Sequence, residues 1–456
     1  MSAAMPQAKS YPYHTHLLND VLRRVCAEQT GIAQSLLASP VKYSNNLAIR
    51  SVVANMPAYH KVLLNPELEM QYHLSGYGMF YEEALIRLAA EAIERYSLMV
   101  GPLTLGDRLR YATWREMKAD VEVLPFELLN LFGDEDYERL NAGDYKGMRR
   151  LSPDDVVGWV RCASIADPER EIWAPAQMLF VGYRIALERG EVPFSPGFST
   201  GTACHASFEK ALQNAMLEFL EIDALMVSWY TNHKAKRIIV NDLTLTDLCP
   251  QLFSADAAFE CLLLDLQVLD QVDASVIGAV LINRRNERPL IVFGAQGSLD
   301  PLHGAYRAAM EAVAISFLGY FGPLYLPLQY FVDQSNDFTD LDRNVSFFAD
   351  PKDAGLKRGI IDNMVDGSRV LGAMKNHDTG DVRADTARLM RQVCEVSEYG
   401  VFLDITPPET ASQGWRVARV FLPELVTMCV PGVPYSAHPR IQKYGGIQNR
   451  YPHPLP

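Results

Sequence analysis

Apolar residues recur along this chain in two rhythms. A period of three to four marks amphipathic helices, and short unbroken runs mark buried strands. The helical rhythm covers His16 to Leu37, and it returns in three longer segments. In the first of these, Leu85, Leu88, Ala89, Ala92, Ile93 and Tyr96 form one stripe. In the second the stripe is Phe208, Ala211, Leu212, Ala215, Met216 and Phe219, and the third runs through Gly304 to Glu311. Strand-like runs are Ile238–Val240, Cys261–Leu269, Val276–Asn283, Pro289–Phe293 and Tyr399–Thr406. Helices and strands mix without regular alternation, which predicts an α/β or α+β fold with mixed sheets. Residues 333–375 are rich in Asp, Asn and Gly and read as long surface loops.

The three longer helical segments share a plan. Each comes after a glycine-bearing turn: Ser75–Gly78, Thr200–Ala203 and Gly294–Gly297. Each carries a small residue (Ala84, Ala211, Gly304) seven positions before a glutamate (Glu91, Glu218, Glu311). Seven residues make two turns, so the small residue and the glutamate share a face.

Composition narrows the function. The chain has 456 residues, 48% hydrophobic and 21% charged, as a globular protein does. A net charge of −13 excludes a general nucleic-acid binder, which needs a basic face. The seven cysteines are scattered and include no Cys-x-x-Cys, so they point to buried thiols rather than a zinc knuckle or a disulfide framework. No signal peptide or membrane-length apolar run is present, and a reducing cytoplasm is the expected location.

The carboxylates carry the candidate chemistry. Glu91 and Glu94 are neighbours on one helix side, and Asn214, Glu218 and Glu221 stack along another. Arg87, Glu91 and Arg95 also have the spacing of a surface salt-bridge ladder, the plainer reading for one helix alone. Glu218 and Glu221 resist it, because neither has a Lys or Arg four residues away and their helix is otherwise apolar. Buried carboxylates of this kind are costly unless they hold a cation. Two Glu-x-x-Glu pairs suit Mg²⁺, whose remaining positions water and phosphate oxygens fill. Arg307, one turn before Glu311, suits a nucleotide phosphate. No Walker A sequence is present, so an ATP site here would be built from helices without a P-loop.

These segments resemble the YcaO-domain family. Glu91-Ala92-Ile93-Glu94-Arg95 is similar to its Ser-x-x-x-Glu-x-x-Glu-Arg motif, and Glu218-x-x-Glu221-x-Asp223-Ala224 to its Glu-x-x-Glu-Arg-Asp-Ala motif. Arg307-x-x-x-Glu311 resembles its Arg-x-x-x-Glu helix. Asp404-Ile405-Thr406 with Val420–Leu425 resembles its C-terminal strand pair, and Pro452-His453-Pro454-Leu455-Pro456 the Pro-x-Pro-x-Pro end of its peptide-cyclising branch. The likeness spans roughly residues 70–456, with 1–69 a preceding helical or irregular segment. The chain departs at three positions: Arg87 stands at the family's Ser, Ile222 at its Arg and Ala314 at its Gln.

The resemblance implies a YcaO-like fold and an ATP- and Mg²⁺-dependent cyclodehydratase. Such enzymes convert Cys, Ser or Thr of a ribosomally made precursor peptide into thiazoline or oxazoline. It implies metal ligation by Glu91, Glu94, Glu218 and Glu221, places for Asn214 and Glu311 beside the nucleotide, and a catalytic part for Pro452, Pro454 and Pro456. The residues themselves add Arg307 as a phosphate contact and Arg87, where the family has Ser, as a contact to phosphate or to Glu91. Alternating prolines stiffen that tail into polyproline II, although a tail read alone is more often a frayed end. The implied partners are the precursor peptide, a separate leader-binding ThiF-like protein and an FMN-dependent azoline dehydrogenase, in a homodimer or hetero-oligomer. No nucleic acid or membrane is implied. Thioamide or macroamidine formation on the same amide, or an ATP-binding accessory role favoured by Arg87 and Ile222, remain as alternatives.

Overall fold

A computed structural model describes residues 14–27, 29–42, 48–63, 73–143, 145–254, 256–325 and 341–456. Among them the strands form three sheets. The first joins Gln34–Lys42, Ala48–Asn55 and His73–Gly78, antiparallel and in chain order. The second runs Ile291–Ser298, Ser275–Asn283, Phe259–Asp265, Ala235–Ile239, Val365–Val370, with only the last pair parallel. The third runs Leu109–Thr113, Val156–Ser164, Val401–Asp404, Arg416–Phe421, Thr202–His205, and Glu171–Pro175 adds to Val156–Ser164. The mixed α/β class read from the apolar rhythm is what the chain adopts.

Each sheet ends in the strand that feeds a glutamate helix. Strand His73–Gly78 leads to Tyr81–Val100, Thr202–His205 to Phe208–Tyr230, and Ile291–Ser298 to Pro301–Tyr325. Each helix lies on its own strand. Glycine permits the close approach: a Cβ on Gly76 would stand 1.8 Å from the Ala84 carbonyl oxygen, and one on Gly294 2.5 Å from that of Ala308. Leu88, Ala89, Ala92 and Ile93 are fully buried, as the stripe predicts. The second helix is buried on every side from Phe219 to Tyr230, which suits its nearly uninterrupted apolar sequence.

Several expectations give way. The helix at the N-terminal side is His14–Arg24, and Gln34–Lys42 is a strand, because Gly31 breaks the rhythm and sheet pairing captures the residues beyond it. The segment before residue 70 thus contributes two strands to a sheet shared with His73–Gly78. The glycine-bearing segments Ser75–Gly78 and Gly294–Gly297 are strand rather than turn; Gly201, at φ +84°, is a true turn. Within 333–375, residues 333–340 lie outside the described residues. The remainder holds helices Leu341–Ala349 and Ala354–Met364 and strand Val365–Val370, where Val345, Phe348, Ile360 and Ile361 turn inward to the core. All seven cysteines are free thiols. Among the described residues no helix is long and apolar enough to cross a membrane.

The proline-rich terminus is docked. Residues 452–455 are buried and Pro456 is exposed. The Asn344 amide donates to the carbonyls of His453 (2.7 Å) and Leu455 (2.5 Å). The Trp229 indole N–H donates to the Tyr451 carbonyl at 3.0 Å, and the His453 N–H to the Tyr230 hydroxyl at 3.1 Å.

Candidate functional site

The three strand–helix units close into a ring. The helix of each also packs on the strand of the next: Tyr81–Val100 on Thr202–His205, Phe208–Tyr230 on Ile291–Ser298, and Pro301–Tyr325 on His73–Gly78. The leading glutamates occupy one place in the plan. Glu91, Glu218 and Glu311 each stand ten residues after their helix begins, at Tyr81, Phe208 and Pro301.

Sheet-end strands leave outward N–H groups without a strand partner, and the glutamates take them. Ser75 N–H donates to Glu91 Oε2 at 3.0 Å, and Ala295 N–H to Glu311 Oε2 at 2.6 Å. Glu221 reaches the next unit, where Gly297 N–H donates to its Oε2 at 2.7 Å. The sequence-predicted acids Glu91, Glu94, Glu218, Glu221 and Glu311 are thereby brought together.

Their electrostatics close the same ring. Burial pushes the Glu94 carboxyl up to about 8, with Glu91 adding to the rise. Burial holds Glu218 well above the ordinary range, helped by Glu94 and Glu221. Burial and then Glu311 raise Glu221 to about 8, and burial with Glu91 raises Glu311 to about 7. Glu91 and Glu94 side chains keep 26% and 15% exposure, so this side of the ring is not fully closed to solvent.

Counter-charge comes from other elements, which the local sequence around Glu218 and Glu221 does not reveal. Arg95 lies 3.7 Å from Glu91 and 3.6 Å from Glu94. The buried Arg419, on Arg416–Phe421, exerts its charge on Glu218 and Glu94. Its guanidinium is held by the carbonyls of Met178, Leu179, Phe198, Ser199 and Thr200 and by the Thr202 hydroxyl. Arg307, 7% exposed, donates to the Tyr77 hydroxyl at 3.2 Å and lies over that ring. Its Nη1 is buried without a hydrogen-bond partner among the described residues.

Arg87 corrects the ladder. It pairs with Glu83 at 2.8 Å rather than with Glu91, because the Ser75 N–H draws Glu91 toward the strand. Asn214 is half-buried one turn before Glu218. The structure places Pro452 and Pro454 at the far end of the second helix, against Trp229, Tyr230 and Asn344. From Glu221 to Tyr230 the helix rise is about 13 Å, and among the described residues the hydrogen bonds of the tail go to Trp229, Tyr230, Asn344 and Cys429 rather than to the carboxylates.

Sequence reasoning missed Tyr77, Glu83 and Arg419. It also missed the pair Asp223–Arg440, whose two hydrogen bonds of 2.6 Å pin the second helix to the segment after residue 430. A sixteen-residue offset, shared by Ser75 and Glu91 and by Ala295 and Glu311, was the available signal for the backbone contacts. Arg419 and Arg440 gave none.

The donor set fits Mg²⁺ with a polyphosphate. Among the described residues no three His, Cys, Asp or Glu converge as a protein-only metal cage. Mg²⁺ does not need one, since it binds through one or two carboxylates and keeps water and phosphate oxygens. Paired hard-oxygen groups whose proton affinity is raised by burial and then by one another, next to a guanidinium donor without a partner among the described residues, suit that arrangement.

Comparison with known proteins agrees. No curated protein matches this chain. A heterocyclase in complex with substrate and cofactor superimposes over 100% of this chain with a TM-score of 0.71 at 17% identity. The chain spans 59% of that heterocyclase's length. YcaO from Methanopyrus kandleri, bound with AMPPCP and Mg²⁺, matches at a TM-score of 0.60 and 15% identity, over 91% of each chain. The E. coli microcin synthetase McbBCD complex with pro-MccB17 bound matches at 0.62 and 11% identity, over 95% of this chain and 99% of that one. At such identities the likeness is one of fold. The model of the YcaO cyclodehydratase family, described as ATP- and Mg²⁺-binding, matches residues 75–426, and the chain therefore belongs to the YcaO family.

Proposed function

We propose that this protein is an ATP-dependent cyclodehydratase that forms azoline rings on a ribosomally made precursor peptide. The observation that carries this is the ring of five carboxylates, Glu91, Glu94, Glu218, Glu221 and Glu311, drawn from three separate helices. Such a ring is unfavourable until divalent cations enter it. In this assignment the carboxylates hold Mg²⁺, Arg307 meets a phosphate, and Asn214 lies within the nucleotide shell. Mg-ATP supplies an activated phosphoryl group that lets the peptide amide oxygen leave as phosphate once a Cys, Ser or Thr side chain has added to the carbonyl. The chain's own part is positioning and charge neutralisation, which phosphoryl transfer chiefly requires.

Residues 70–456, with the two preceding strands that complete the first sheet, act as the catalytic unit, and the tail of Pro452, Pro454 and Pro456 bears on the site by fixing the far end of the second helix. Leader recognition falls to a separate ThiF-like partner, and an FMN-dependent dehydrogenase oxidises azolines to azoles. That the E. coli microcin synthetase is a complex with its precursor bound supports a divided assembly.

The test incubates a candidate precursor with this protein, its partner and Mg-ATP, with mass spectrometry of the product. Each ring removes one water, and Glu218→Gln abolishes the loss. A precursor whose mass stays unchanged in the wild-type reaction while ATP is bound refutes ring formation. Equal Mg-ATP affinity in wild type, Glu218→Gln and Glu91→Gln refutes the metal assignment.

A further inference from the structure

Because the three units share one plan, residues at one offset from the leading glutamate hold related places in the ring. Four positions before it stand Arg87, Asn214 and Arg307. The contact of Pro301–Tyr325 with His73–Gly78 brings two of them, Arg87 and Arg307, to one junction. The Arg307 guanidinium centre lies 4.8 Å from the Tyr77 ring centroid, and its Nη1 has no hydrogen-bond partner among the described residues. Arg87 sits within the field of Arg307: burial, then that like charge, lowers its pKa. His303, one turn before Arg307, is held toward the neutral form by burial and then by Arg307 and Arg87. On the acid side stand Glu83, which pairs with Arg87, and Glu311 and Glu221, whose charges reach Tyr77. Glu83 is itself fixed by the Met79 N–H at 3.0 Å.

We propose that Arg87 is a second phosphate ligand, and that Arg87 and Arg307 together seat the terminal phosphate of a nucleoside triphosphate beside Tyr77. This rests on the nucleotide assignment above and adds a residue that the family motif does not supply, since the motif has Ser there. Arg307 is buried and Arg87 half-buried, and two like charges at one junction, only one of them paired with a carboxylate among the described residues, favour an anion between them. Each offers planar donors that match phosphate oxygens, and the free Arg307 Nη1 provides one at once. The third unit also leaves room for negative charge. Three positions after the leading glutamate the first two units carry Glu94 and Glu221, whereas the third carries Ala314.

Calorimetric titration of the full chain with Mg-ATP and with Mg-tripolyphosphate tests this in wild type, Arg87→Ser, Arg87→Lys and Glu218→Gln. Arg87→Ser should weaken both ligands by about ten- to a hundredfold, the usual range for a charged hydrogen-bond pair. Arg87→Lys should recover part of the loss, keeping charge but not the fork. Affinities unchanged in Arg87→Ser, with Glu218→Gln impaired, overturn the Arg87 seat and leave the metal site standing. Should Arg87→Ser fail to fold, wild-type affinity in Arg87→Lys overturns the forked contact. Wild type that binds tripolyphosphate but not ATP keeps the anion seat and refutes the nucleotide. Wild type that binds neither refutes both.

Discussion

Replacing Glu221 with glutamine should make the ligand-free protein more stable and the liganded protein less so. Glu221 is 8% exposed, and burial, with Glu311 adding to it, raises its carboxyl from 4.5 to about 8. The folded state therefore holds this proton more tightly than the unfolded chain does. Stability is then lost as pH rises from about 4.5, and the loss is complete near 8. At about 1.4 kcal/mol per unit, ionisation costs about 5 kcal/mol as an upper bound. Glutamine removes the charge and still offers an oxygen to the Gly297 N–H, though a neutral acceptor is weaker by about 1 kcal/mol. Neighbouring Glu311 and Glu218 also share the strain, which leaves a gain of about 2–4 kcal/mol. For a chain of 456 residues the unfolding entropy is about 1 kcal/mol per kelvin. The melting temperature at pH 8 in chelator should rise by about 2–4 °C, with no difference near pH 5. Saturating Mg-ATP should reverse the order, because only wild type gains full binding energy. Scanning calorimetry at the two pH values decides it. A Glu221→Gln variant less stable than wild type at pH 8 without metal would refute a repulsive, cation-seeking ring.

The packing sets two further outcomes. Asp223→Asn leaves the guanidinium of Arg440, itself 8% exposed, without its charge partner, and should cost about 3–5 kcal/mol; an unchanged melting temperature would exclude a pinning role. Asn344→Ala removes both hydrogen bonds to the terminal segment. It should release residues 452–456 to limited proteolysis and reduce ring formation while sparing Mg-ATP affinity; ring formation at the wild-type rate with the segment released would remove the tail from the mechanism.

Local pattern reaches some of this architecture and misses the rest for identifiable reasons. The apolar stripe of Leu85, Leu88, Ala92 and Ile93 needs only helical period, and it is buried as read. The carboxylate pairs need only spacing on one helix face. The strand at Gln34–Lys42 escapes pattern reading because Leu36 and Leu37 continue the helical rhythm by chance; they are 37% and 55% exposed, with no core face to enforce it. Arg419 and Arg440 act on residues some two hundred positions away, Glu218 and Asp223, a separation no window can see. Spacing alone puts Arg87 on the wrong acid because Glu83 and Glu91 are equally distant from it along the helix, and only the neighbouring strand breaks the tie.

That strand explains why the acids sit where they do. An open sheet edge presents N–H donors that need an acceptor or another chain. Here two of the three sheet-end strands, His73–Gly78 and Ile291–Ser298, receive carboxylates on their donors, at Ser75, Ala295 and Gly297. Each of these hydrogen bonds engages one of a glutamate's two oxygens. Holding the acids this way keeps them apart from water and near each other, which raises their proton affinity and makes the empty ring unstable. A cation relieves both effects at once. The same backbone contacts that finish the sheets thus fix where the carboxylates stand, and the ring is asymmetric, with Ala314 where a sixth acid would stand.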